Sequence, residues 1–152
     1  MSNKSESKLK TDFNKYLANL AVMNFKVHNI HWNVEGEQFI RVHLYTDELY
    51  EELFEYFDDV AEHMKKFEIV PDSTMKTYLK NATIEEIEPR QFTCQEAFEI
   101  VLKDLEQLRE QATDLRNASD EENWFSAVSM FEDQIDSYNK RIWFLRASTN
   151  TK

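Results

Sequence analysis

The stretch FIRVHLYTDELYEELFEYFDDVAEHMKKF, residues 39–67, decides the fold. Within it Leu49, Leu53, Phe57, Val60 and Met64 recur at steps of three and four, which is the period of one helix face. Neither Gly nor Pro interrupts the run, and Pro71 breaks the pattern just beyond its end. Successive residues rotate by about 100° around a helix. His43, Asp47, Tyr50, Phe54 and Asp58 therefore share a narrow second strip, with Glu62 at its edge. A strip of potential ligands that adjoins an apolar face belongs near an interface, not in open solvent.

The same period extends in both directions. Before this helix, Phe13, Leu17, Leu20, Asn24, Val27 and His31 form an amphipathic stripe, and Gly36 stands just past its end, where a left-handed residue is wanted. After Pro71, Ser73 is read as the cap of a short helix through Leu79, and residues 81–92, with Pro89, as a loop. Thr93-Cys94-Gln95-Glu96 is a capping box opening a third long helix with Ala97, Val101, Leu105, Leu108, Ala112 and Leu115 on its stripe. Ser119-Asp120-Glu121-Glu122 has the same form and is read as the start of a fourth, carrying Trp124, Val128, Phe131, Ile135, Tyr138, Ile142 and Leu145.

One Gly and two Pro in 152 residues leave little turn chemistry, so few and long elements are expected. The reading is all-α: a ferritin-like four-helix bundle with a short extra helix in the long connection between helices 2 and 3. It is a single domain over residues 1–152, with residues 1–9 as a flexible N-terminal tail.

The net charge of −11 argues against nucleic acid as the main partner, because phosphate binding rests on clustered Lys and Arg. It suits cations. The tail offers Lys4, Lys8 and Lys10 against Glu6, so any DNA binding is expected to be weak. The single cysteine, Cys94, excludes an internal disulfide and fits a reducing compartment. No signal-like or membrane-spanning run is visible, so a cytoplasmic location without membrane partners is expected.

Imidazole with several carboxylates is a ligand set for iron, manganese or zinc. Ferritin-like di-iron sites inside one bundle use Glu-x-x-His motifs, but here the residues three before each His are Phe25, His28, Ile40 and Val60. The pair His43 and Asp47 is centred fifteen positions from Asp58 and Glu62, roughly 22 Å along a helix. One metal cannot reach both groups on one helix. A two-fold copy running antiparallel, with the dyad between Glu52 and Leu53, brings one group opposite the other and gives two identical sites per dimer.

His31-Trp32-Asn33-Val34-Glu35-Gly36, followed by Phe39, His43, Asp47, Tyr50, Asp58 and Ala61-Glu62, resembles the signature of the Dps family. That resemblance implies a hollow homododecamer of twelve subunits with metal sites at its two-fold interfaces. It implies that His31, His43 and Asp47 come from one subunit, and Asp58 and Glu62 from its partner. It further implies that each site binds two irons and oxidises Fe(II), usually with hydrogen peroxide. The ferric mineral would then be stored inside, protecting the cell and its DNA. Two departures stand out: His63 occupies a position where the family commonly has Arg, and Glu68-Ile69-Val70 stands where Gly-Gly is frequent. The alternative reading is a DNA-compacting architectural protein with a secondary metal site, which the charge disfavours.

Other polar or reactive groups have simpler readings. His28 is read as helix packing rather than a metal ligand, Tyr50 and Phe54 as packing near the dyad, His63 as a surface or interface residue, and Cys94 as a structural thiol. Trp32 adjoins His31 and is read either as packing beside the site, where it could quench radicals, or as plain packing. Asp120, Glu121 and Glu122 are read first as a capped helix start, and the family resemblance implies a second reading, a place near three-fold pores that admit iron.

Overall fold

The computed structural model describes residues 3–150. Four long helices, α1 (Asn3–Asn33), α2 (Phe39–Lys66), α4 (Cys94–Glu121) and α5 (Phe125–Thr149), form the bundle, and a short α3 (Met75–Asn81) lies in the long connection. The fold expected from helix count and connection length is the fold observed. α1 packs chiefly on α2 and α4 on α5, while α1 also meets α3 and α4. The core holds Phe13, Leu17, Leu20, Leu49, Leu53, Val101, Leu105, Phe131 and Ile142, all essentially inaccessible to water. These are the stripe residues of the four long helices. Among the described residues, no helix is long and apolar enough to cross a membrane.

The helix boundaries differ from the sequence reading in four places. α1 begins at Asn3, so residues 3–9 of the expected tail are helical, with Leu9 buried against the bundle. Residues 1 and 2 lie outside the described residues. Gly36 does not directly follow the first helix. Val34–Glu35 (β1) comes between, pairing in parallel with Phe92–Thr93 (β2), Val34 opposite Phe92. Gly36 then takes φ 130°, a backbone state that favours glycine, and a Cβ there would stand 3.4 Å from the Cys94 sulfur.

The short helix is capped by Thr74, whose hydroxyl accepts from the Thr77 N–H, and not by Ser73. The box at Thr93 forms as expected: the Glu96 N–H donates to the Thr93 hydroxyl oxygen, and the Thr93 N–H to the Glu96 carboxylate. Ser119 opens no helix. It is buried inside α4, which continues to Glu121. Asn123 turns through a left-handed φ of 61°, and the Trp124 N–H donates to the Ser119 carbonyl, closing the helix end. Trp124 stacks on Phe67 with ring centroids 3.7 Å apart. Burial of this indole sets the boundary, and a capping pattern of small and acidic residues could not reveal it. Asp120 consequently lies in the last turn of α4, where it pairs with Arg116.

Candidate metal centre

Three features of the backbone build one half of the candidate site. α1 carries His31 near its C-terminal end, the turn after Glu35 reverses the chain, and α2 returns antiparallel with His43 in its second turn. The two imidazoles stack with centroids 3.7 Å apart. His31 donates its Nδ1–H to the His43 carbonyl at 2.8 Å, and His43 donates its own to the His31 carbonyl at 2.9 Å. A carbonyl can only accept, so the Nδ1 of each ring carries hydrogen, and in the neutral ring the lone pair is on Nε2. This is the form in which imidazole binds a metal.

His31 is buried, and burial, followed by the neighbouring His43, holds its pKa below the usual histidine value. The ring is therefore kept neutral. Asp47, one turn beyond His43 on α2, lies close enough to act electrostatically on His31 in the opposite sense. Thr46 is a residue that sequence reasoning missed. It is fully buried, its hydroxyl donates to the Val42 carbonyl at 2.8 Å, and its oxygen lies 3.0 Å from His31 Nδ1. Its place three residues after His43 was the available signal.

Asp58 and Glu62 are not brought to this group. They lie on the distal half of the same unbroken helix, exposed, where their carboxylates and that of Asp59 come within 4.8 Å of one another. Asp59 was not picked out from the sequence. It neighbours both acids, but its position off the strip concealed it. His63 donates Nδ1–H to the Asp59 carbonyl at 2.9 Å. The strip and the adjoining face of α1 also expose Phe54, Phe25 and Trp32. His28 donates Nδ1–H to the Asn24 carbonyl at 2.6 Å, and its ring stacks on Tyr50.

The ferritin-like domain family matches residues 11–151. The DNA protection during starvation protein of Helicobacter pylori strain J99 is 33% identical over 130 residues, covering 86% of this chain and 90% of the relative. Among solved structures, antigen TpF1 from Treponema pallidum superposes with a TM-score of 0.94 at 25% identity, over 97% of this chain and 95% of that one. A Dps protein from Vibrio cholerae O1, described as a member of a broad superfamily of ferritin-like diiron-carboxylate proteins, superposes with a TM-score of 0.89 at 25% identity, over 95% and 90%. The fold and these matches define a ferritin-like protein. Within that class, this chain belongs to the Dps family.

Proposed function

We propose that this protein is a ferroxidase and iron-storage miniferritin whose metal sites are shared across two-fold dimers of a twelve-subunit shell. The observation that carries the reading is the reciprocal pairing of His31 and His43. It orients two imidazoles so that the Nε2 atoms, not Nδ1, are left to face a metal beside Asp47, at the margin of a face that exposes apolar side chains. Phe25, Trp32 and Phe54 on that face suit burial against a second copy. An antiparallel copy of α2 would set the partner's Asp58 and Glu62 against His31, His43 and Asp47.

Iron is the substrate and the cargo. Each hydrogen peroxide takes up two electrons and two protons to become two waters, so a site holding two ferrous ions delivers both electrons together. The residues bind and orient: imidazoles retain the divalent ion, and carboxylates favour the higher ferric charge. Burial of His31 resists protonation, which would otherwise remove its donor pair. The reading places the protein in the cytoplasm, with peroxide as co-substrate and DNA at most a weak partner of a body carrying −11.

The deciding experiment is an anaerobic ferrous titration of the assembled protein, followed by stoichiometric peroxide and read by absorbance. Saturation at two ferrous ions per site, with one peroxide consumed per two irons, is expected. Ferrous iron that leaves the protein unbound, or a stable monomer by light scattering that retains full activity, overturns the reading.

A further inference from the structure

A cleft of about 440 Å³ opens between α1 and α2, lined by Asn24 and His28 of the first helix and by Tyr50, Glu51, Phe54 and Glu55 of the second. The α2 residues are disposed evenly about the point between Glu52 and Leu53, so that Tyr50 mirrors Glu55 and Glu51 mirrors Phe54. That point is also where the spacing of His43 and Asp47 against Asp58 and Glu62 puts the axis of an antiparallel two-fold pair. The ligand spacing and the cleft are separate features of the chain, and both select the same axis.

Phe54 stands at this spot without cover. It is 57% exposed, and within its own chain its ring meets that of Phe57, one turn on, at 5.8 Å. Another wall of the cleft is flat and aromatic, because Tyr50 stacks on His28 with centroids 3.7 Å apart. Glu51 and Glu55 are exposed at its rim. Their charge repels the phosphates of a nucleic acid. It also works against a second copy, so an association here must rest on the apolar centre. A two-fold copy supplies that centre: it sets the partner's Phe54 against Glu51, inside the span of the cleft, and this Phe54 against the partner's cleft. Each chain then offers one uncovered ring and one unfilled cleft, the self-complementarity that an isologous interface needs.

We propose that this cleft is the seat of a second copy of the chain, with Phe54 of each copy entering the cleft of the other. The inference rests on the two-fold reading above and deepens it. The ring is the anchor that brings the two half-sites together, and it touches no metal.

The test uses the assembled full-length protein in sedimentation velocity over a dilution series. Phe54→Ala removes the ring, and Asn24→Trp fills the cleft from its own chain. Phe54 is exposed and Asn24 half-buried, so both variants should keep the wild-type helical content by circular dichroism. Each is expected to raise the concentration of half-dissociation at least about thirty-fold, the scale of an interface hot spot. Their iron oxidation should fall on dilution and return at high protein concentration. Asp47→Asn should lose iron oxidation at every concentration while assembling as wild type does. If Phe54→Ala dissociates no more readily than wild type, the anchor is overturned, and the shared site still stands on the co-assembly of complementary ligand variants. If Asn24→Trp alone assembles like wild type, the ring does not enter this cleft and the proposal falls. A wild-type protein that is monomeric throughout the series overturns both readings.

Discussion

The ammonium of Lys26 lies 2.7 Å from the carboxylate of Asp104, with each side chain only 8% exposed. The pair joins α1 to α4 about one and a half turns before His31 and so helps fix the helix that carries it. Burial pushes the Asp104 carboxyl above its usual pKa, and Lys26 opposes that shift. At this depth each charge is compensated by the other.

Removing one partner should therefore cost much more than removing both. Asp104→Ala is expected to lose about 3–5 kcal/mol in denaturant unfolding, because it strands a buried ammonium. Lys26→Met combined with Asp104→Leu should recover most of that loss, since an apolar pair of similar volume carries no desolvation cost. A single variant as stable as wild type would show that the pair is not buried as described.

A second prediction concerns acid stability. Burial alone would raise the pKa of Glu52, but it accepts hydrogen bonds from Ser137 and Tyr56 and pairs with Arg141, and these partners hold it below the usual value. A folded-state pKa below the unfolded one gives stability that is present above about pH 4.3 and lost as pH falls through the folded value. Wild type should lose stability below that pH more steeply than Glu52→Gln, which has no proton to take up. Parallel acid limbs in thermal melts from pH 6 to pH 3 would contradict this.

Thr46 supports the site from beneath. Thr46→Val keeps the branched shape but removes the oxygen beside His31 Nδ1, leaving the His43 carbonyl as the ring's acceptor. Iron oxidation should slow by up to about ten-fold, the lower end for groups that orient a ligand, while assembly is retained. Stopped-flow absorbance after peroxide addition measures the rate, and a rate equal to wild type would remove Thr46 from the site's support.

The shared arrangement has its own test. His43→Ala with Asp47→Ala, and separately Asp58→Ala with Glu62→Ala, should each abolish ferroxidase activity in the homo-oligomer. Dissociating and co-assembling the two should restore part of it. In a mixed dimer one site receives both damaged halves, and the other receives His43 and Asp47 from one subunit with Asp58 and Glu62 from its partner. Verified mixed dimers without activity would disprove the shared site.

The amphipathic periods of α1, α2, α4 and α5 were legible in the sequence because each apolar stripe reports one buried face, whatever it packs against. The capping box at Thr93 was legible for a similar reason, since both of its hydrogen bonds close within four residues. The strip from His43 to Glu62 followed from helix rotation alone. Other features depend on partners remote in sequence. Ser119 lies in a pattern that fits a helix start, yet the stacking of Trp124 on Phe67 makes that segment a helix end. Val34 and Glu35 become a strand only because Phe92 and Thr93 return beside them.

For the site, local spacing determined which residue types share a face of α2, and it kept Asp58 and Glu62 a fixed distance from His43. Only the tertiary structure decided that His31 and His43 stack, that each ring gives its Nδ1 hydrogen to the other's main chain, and that Thr46 and Tyr50 lie against His31. Those contacts join residues on two helices. Their geometry depends on the angle and depth at which α1 and α2 pack, and one-dimensional periodicity carries no information about either.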